Sequence, residues 1–244
     1  MKLDENQLKE FHENGFLILK NFADSALCDE ILEKAKIHLE NKTAPIETEQ
    51  EYMQNDIDKI TVRRLRQVYD REEVFQKWMT NEKIRPILKQ VLNDTPVLTL
   101  AHHNSIMTKL PHESTRTFWH QDRRYWNFEN NDLVSVWLAL GDEYLDNGLL
   151  EFIPASHKLN LEKDQFDEVS NFKDEHPKNI EIIKNKVHAN LQKGDVVLFH
   201  CKTLHHASKN NSDKAKISFV YTVRAASNKP LNNTRSDFKE VILD

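Results

Sequence analysis

The spacing of apolar residues changes character near residue 96. Before that point most apolar positions recur every three to four residues, the period of helices with one buried face. "LDENQLKEFHENG" predicts a short helix, with Asp4 as N-cap, Leu8 and Phe11 facing inward and Gly15 ending it. "FLILKNF" (16–22) predicts a strand, and "DSALCDEILEKAKIHLENK" (24–42) an amphipathic helix opening at Asp24 or Ser25. Residues 43–60 lose apolar periodicity and predict a loop. Residues 71–94 predict two short helices, the second broken by or beginning near Pro86. From residue 96 onward, "PVLTLAHHNSIMTKL", "LVSVWLAL", "LLEFIP", "GDVVLFH" and "ISFVYTV" are β-rich runs separated by turn residues. The stretch 160–188 is polar and highly charged, and predicts a surface insertion between strands. With no internal repeat and no clear linker, the pattern predicts one domain over 1–244. In it, a mainly helical part (1–95) packs on an antiparallel β-barrel or sandwich (96–226).

Composition adds few constraints. A chain of 244 residues can bury one sizeable core or two small ones. A net charge of −5, with lysines and acids interleaved along the chain, argues against a nucleic-acid or membrane partner. No run approaches membrane-spanning length, and "MKLDENQLKEF" lacks an apolar signal core, so the expectation is a cytoplasmic protein. Cys28 and Cys201 form no CxxC pair and predict no disulfide scaffold, as suits a reducing compartment. Nothing in the pattern specifies an oligomeric state.

The chemistry concentrates in "TFWHQDRRYW" (117–126). His120 and Asp122 stand two apart at the end of an extended run, so both can project from one face toward one point, such as a metal ion. A third ligand should come from a strand distant in sequence. The richest source is 194–222, which holds His200, His205 and His206. Two histidines and a carboxylate with open positions suit non-haem Fe(II), although a zinc site can use the same ligand types.

The run "WHQD…VSVWLAL…DNGLLEFIPASHK…GDVVLFHCKTLHHASKNNSDKAK" resembles the phytanoyl-CoA dioxygenase family of Fe(II)- and 2-oxoglutarate-dependent oxygenases, and "LKEFHENGFLILKNF" is similar to that family's usual opening. The resemblance implies an all-β core with flanking helices (α+β overall), built as a double-stranded β-helix, a jelly-roll or cupin-like barrel. In the family's pattern the distal histidine is followed by a small residue at +2, Asn at +5, Ser at +7 and a basic residue at +11. Counting from His205 gives Ala207, Asn210, Ser212 and Lys216, whereas His206 fails at +7 and +11. The implied metal ligands, and catalytic residues, are therefore His120, Asp122 and His205, with His206 as the fallback for the distal position.

The implied cofactors are Fe(2+), 2-oxoglutarate as cosubstrate and O2. The implied reaction couples decarboxylation of 2-oxoglutarate to succinate and CO2 with hydroxylation of an unactivated C–H bond in a small-molecule substrate. Retention of Asp122 favours hydroxylation over halogenation, because halogenating relatives lack this carboxylate. Lys216 stands where most members carry an arginine for the distal carboxylate of 2-oxoglutarate. This replaces a planar two-pronged donor with a point charge, and Arg224 is a possible helper. Trp137 and Lys109 complete the implied cosubstrate pocket with Ala207.

The competing readings are a zinc-type cupin-like metal-binding module and a non-catalytic member of the same fold. His102, His103 and His112 read as bystanders, except that His102 and Asn104 share a strand face that can line the pocket. Gly148 reads as a turn glycine, and Lys42, Arg63, Arg64 and Arg66 as either a solvated face or contacts for an anionic substrate.

Overall fold

The computed structural model describes residues 1–53 and 60–244. Asp4 caps the first helix, α1 (Glu5–Asn14). Its carboxylate accepts from the Gln7 N–H at 2.8 Å, while the Gln7 side chain accepts from the Asp4 N–H. Gly15, at φ +82°, ends the helix and turns the chain into β1 (Phe16–Leu19). Asp24 caps α2 (Ser25–Glu40), which buries Cys28, Ile31 and Ala35. Then follow β2 (Ile46–Thr48), α3 (Glu49–Met53), β3 (Val62–Arg66), α4 (Glu73–Met79) and α5 (Arg85–Leu92), the last with Pro86 in its first turn. The strands β4 (Pro96–Thr99), β5 (Asn104–Lys109), β6 (Thr117–His120), β7 (Leu133–Ala139) and β8 (Leu150–Phe152) come next. Last are α6 (Pro177–Ile183), β9 (Val187–His188), β10 (Val196–His200), β11 (His205–Ala207), β12 (Lys216–Ala225) and β13 (Glu240–Ile242).

Two antiparallel sheets face one another. The large one runs β1-β10-β7-β12-β5-β3-β2, with β4 and β13 added beside β12, and the small one runs β6-β11-β8-β9. One face of the large sheet (Ile106, Leu138, Phe219, Tyr221) packs on helical residues such as Ile31, Phe75 and Trp78. The other face (Trp137, Val197, Phe199, Val220) meets Leu150, Phe152 and Ala207 of the small sheet. This is the expected jelly-roll pair of sheets on a helical layer. Among the described residues the sheets stay separate and do not close into a continuous barrel.

Three local expectations need correction. The segment 43–60, expected as a loop, carries β2 and α3 in its described part, while 54–59 lie outside the described residues. Its order comes from pairing: β2 hydrogen-bonds to β3, and Glu49 Oε2 meets Arg63 at 3.0 Å. The run 96–110 is two strands, because the chain turns at 100–103 and sends β4 and β5 to different positions in the sheet. The insertion 160–188 is more than surface. Phe166, Phe172, Ile182 and Ile183 pack with Trp119, Ile153 and Leu204 into a small core of their own. Cys28 and Cys201 are free and buried. No helix among the described residues is long and apolar enough to cross a membrane.

Candidate metal centre and its pocket

The site sits between the sheets, where β6 and β11 pair with His120 opposite His205. The two rings lie 4.1 Å apart between centroids. His120 Nδ1 is 2.8 Å from the Phe118 carbonyl and His205 Nδ1 is 3.0 Å from that of Thr203. Each Nδ1 thus donates to a carbonyl, which leaves Nε2 as the free lone pair. Just past β6 a single 3-10 turn (Asp122–Tyr125) swings Asp122 inward, and its Oδ2 accepts from Ser135 Oγ on β7 at 2.9 Å. Its other oxygen, Oδ1, is 3.6 Å from both His120 Nε2 and His205 Nε2. One ligand atom from each of the three residues falls within 4.8 Å of the others.

The electrostatics suit a cation. Burial pushes the pKa of His120 down to about 3, with His205 adding to the effect, and burial lowers His205 as well, so both rings are neutral at neutral pH. Burial also opposes ionisation of Asp122. The opposing pull of His103 and His205 and the hydrogen bonds to its carboxylate nevertheless hold it well below the usual carboxylate range. Two neutral nitrogen donors and one anionic oxygen in a buried place fit a divalent transition-metal ion.

The neighbouring histidines separate cleanly. His206 projects from the opposite face of β11, stacks on Trp119 with centroids 5.0 Å apart, and places Nδ1 2.9 Å from Glu151 Oε2. His200 lies beside His157. His102 is not in the pocket; its Nε2 meets Ser236 Oγ at 2.7 Å and its ring packs on Trp126. Asn104 accepts from the Tyr69 N–H and does not line the pocket either. The histidine of this turn that lines the pocket is instead His103, no bystander, whose Nε2 sits 2.8 Å from Asp122 Oδ1. The turn between β4 and β5 sets which of the adjacent histidines faces inward, and no sequence period carries that turn.

Lys216, Trp137, Ala207 and Lys109 all line the same pocket as His120 and His205. Lys216 faces Lys109 across the β12–β5 ladder and lies 5.0 Å above the Trp137 ring. Its Nζ is 3.1 Å from Glu143 Oε2, while Glu143 Oε1 accepts from Trp137 Nε1 at 3.0 Å and Ser218 Oγ at 2.6 Å. Lys109 Nζ donates to the Thr115 carbonyl at 2.7 Å. Burial, with the charges of Lys216 and Arg63 nearby, pushes its pKa down to about 6. Arg224 does not reach this cluster and is ion-paired to Glu240. Asn210 and Ser212 act on the backbone: Asn210 Nδ2 donates to the Lys109 carbonyl, and its Oδ1 accepts from the Ser212 N–H and hydroxyl.

The model of the family described as Phytanoyl-CoA dioxygenase (PhyH) matches residues 11–218, which hold the whole cluster. The chain belongs to the phytanoyl-CoA dioxygenase family. It is 26% identical over 226 residues to the peroxisomal phytanoyl-CoA dioxygenase of Bos taurus, a match covering 86% of this chain and 65% of that protein; the chain thus spans just under two thirds of that relative's length. Among solved structures, EctD from S. alaskensis with bound Fe superimposes with TM-score 0.79 at 17% identity, over 99% of this chain and 83% of that one. The epimerase SnoN, in complex with Fe3+, alpha ketoglutarate and nogalamycin RO, gives 0.77 at 19%, over 93% and 85%. These likenesses establish the jelly-roll fold.

Membership of the phytanoyl-CoA dioxygenase family leaves this chain with residues of its own to explain. Glu143 and Ser135, which no motif in the sequence marks, buttress Lys216 and Asp122. Glu143 lies in "GDEYLDNG", which has the composition of an exposed turn, yet it is buried against Trp137, Lys216 and Ser218, the last two 73 and 75 residues distant.

Proposed function

We propose that this family member is an Fe(II)- and 2-oxoglutarate-dependent dioxygenase that hydroxylates an unactivated C–H bond of a small molecule, consuming O2 and releasing succinate and CO2. The observation that carries the reading is the convergence of His120 Nε2, His205 Nε2 and Asp122 Oδ1 at one buried point. His120, Asp122 and His205 would hold the iron, which with 2-oxoglutarate supplies the oxidising chemistry.

The chain's own residues do the rest. The carbonyls of Phe118 and Thr203 fix the imidazole tautomers, and Ser135 occupies Asp122 Oδ2 so that Oδ1 is the atom presented to the ion. His103 holds that same oxygen from the side, and so orients the carboxylate. Lys216 brings an ammonium group to the pocket, and Lys109 opposite it brings an amine that an anion can hold protonated, where a dianionic cosubstrate needs a counter-charge for its distal carboxylate. Glu143 ties down Lys216, and the flat Trp137 ring beside it forms a wall. Leu150, Phe199 and Val220 keep the chamber apolar and exclude water. The neighbours' ligands support the reading, since EctD has been solved with 2-oxoglutarate and 5-hydroxyectoine.

The test is anaerobic addition of Fe(II) and 2-oxoglutarate to metal-free protein, followed by admission of air. The expected result is a weak visible charge-transfer band, then succinate formation. Zinc occupancy with neither band nor succinate would overturn the reading.

A further inference from the structure

The wall that Lys216 and Lys109 share has a buried carboxylate behind it. Lys216 opens β12, faces Lys109 of β5, and with Trp137 lines the cavity beside the candidate metal ligands. Glu143 is not one of the residues lining that cavity, and its side chain has no exposed surface. Its Oε2 nevertheless holds Lys216 Nζ at 3.1 Å. Its Oε1 accepts from the Trp137 indole N–H at 3.0 Å and from the Ser218 hydroxyl at 2.6 Å. Both oxygens act as acceptors only, the pattern of an ionised carboxylate. Lys216 is therefore a buried ammonium whose counter-charge is in place before any ligand arrives.

We propose that Glu143 limits how strongly the pocket prefers an oxo acid with a distal carboxylate, by neutralising Lys216 from behind the wall. Glu143 acts through Lys216, as a positioning residue. The proposal rests on the oxygenase reading and deepens it, since it assigns the residue that sets cosubstrate selectivity in that pocket.

An ammonium already paired at 3.1 Å offers an incoming anion little net attraction, because the carboxylate behind it repels the newcomer. An arginine can turn one edge of its fork to each of two carboxylates, whereas a lysine is a point charge that both must share. Lys109 is placed differently. Its Nζ donates to the Thr115 carbonyl at 2.7 Å, and among the described residues it has no ion-paired carboxylate. Glu49, the acid whose charge acts on it, is bonded to Arg63 and to the Thr115 hydroxyl instead. Burial and the charges of Lys216 and Arg63 push the pKa of Lys109 down to about 6, so this amine gains most from an anion. The negative charge of a bound cosubstrate thus falls on Lys109, while Lys216 stays with Glu143. Removing the charge of Glu143 returns Lys216 to the ligand.

The experiment compares 2-oxoglutarate with 2-oxopentanoate, which keeps the carbon chain and the oxo-acid end but carries a methyl group in place of the distal carboxylate. Each is titrated calorimetrically into the full chain loaded with Fe(II) in the absence of air, and the ratio of the two Kd values isolates the distal contact. Glu143→Gln, which keeps the shape and removes the charge, should raise the preference for 2-oxoglutarate by at least about 5-fold. Glu143→Gln/Lys216→Gln deletes the pair and leaves no lone buried charge, so its preference should stay within about 5-fold of wild type. A glutamate that only supports the fold would weaken both oxo acids alike and leave the ratio unchanged. A smaller rise or a fall in Glu143→Gln, or a larger change in the double variant, would overturn the proposal. Should Glu143→Gln fail to fold, the double variant decides alone, because a loss beyond that limit would make Lys216 the principal counter-charge despite Glu143. Those outcomes leave the oxygenase reading standing. Binding of neither oxo acid by any of the three proteins, with no visible band, would instead sink that reading and this proposal with it.

Discussion

His205 and His206 show how one backbone step divides two identical side chains. The strand period sends His205 to the chamber and His206 to the Trp119 side, where it serves Glu151. His205→Ala should lower succinate formation by more than about 100-fold, since even outer partners of metal ligands cost roughly 10–100-fold. His206→Ala should keep most of the activity, and the reverse ordering in a succinate assay would move the ligand by one residue. The choice is legible in the amino-acid sequence, because the Ala, Asn, Ser and Lys spacing fits only His205. Lys109 is legible there as a residue of the strand but not as a perturbed base. Its pKa of about 6 against an ordinary 10.5 means that the folded chain binds fewer protons there than the unfolded chain between those values. Stability should therefore rise with pH across that window from this group. If the distal carboxylate of 2-oxoglutarate sits against Lys109, binding at pH 8 should draw a proton onto the amine. Calorimetry in two buffers of different ionisation heat would read that uptake, and buffer-independent heats would remove Lys109 from the cosubstrate site.

At the scale of elements, the sequence is most readable where burial is one-sided and least where charge is buried. Helices α1, α2, α4 and α5 follow from their caps, Pro86 and apolar spacing. Strand β3, "VRRLR", is hidden in the sequence, because Arg63, Arg64 and Arg66 break the usual alternation. They are tolerated there because Glu49 and Glu47 neutralise the first two and the third is half-buried. The turn before β8 shows the opposite case, a residue whose role as a turn glycine is plain but whose neighbours are not. Gly148 adopts φ +79°, and a Cβ there would come within 2.6 Å of the Ser208 carbonyl oxygen and 2.7 Å of Lys109 Cδ. Gly148→Ala should cost roughly 1–3 kcal/mol, from the left-handed backbone and the unyielding carbonyl, measured by urea unfolding. It should also raise the KM for 2-oxoglutarate, because the Lys109 stem must move. Wild-type stability in that variant would show that the turn relaxes freely.

For the whole molecule, the jelly roll matters because it brings the three side chains proposed as ligands from two distant segments, 120–122 and 205, together, with the imidazole tautomers already set. The fold class is legible in the sequence through its resemblance to the family, and the proposed triad through the short motifs that carry that resemblance. The supporting partners Glu143, Ser135 and His103 are not, because each meets its charge across the sheet or a turn, where no local period reports it. A preassembled site of this kind has a consequence for the entire chain. An ion that binds the folded protein and not the unfolded one stabilises it by mass action, by about 2.7 kcal/mol at 100-fold excess over its Kd. For a domain of this size each kcal/mol raises Tm by roughly 2–4 °C, so saturation with redox-stable Mn(II) should raise Tm by about 5–10 °C. Chelator should reverse the shift. Asp122→Ala should abolish it, while His206→Ala, which leaves the triad intact, should preserve it. A manganese-induced shift of equal size in Asp122→Ala would mean that the stabilising ion binds elsewhere on the chain, and that the three converging side chains are held by their own hydrogen bonds alone.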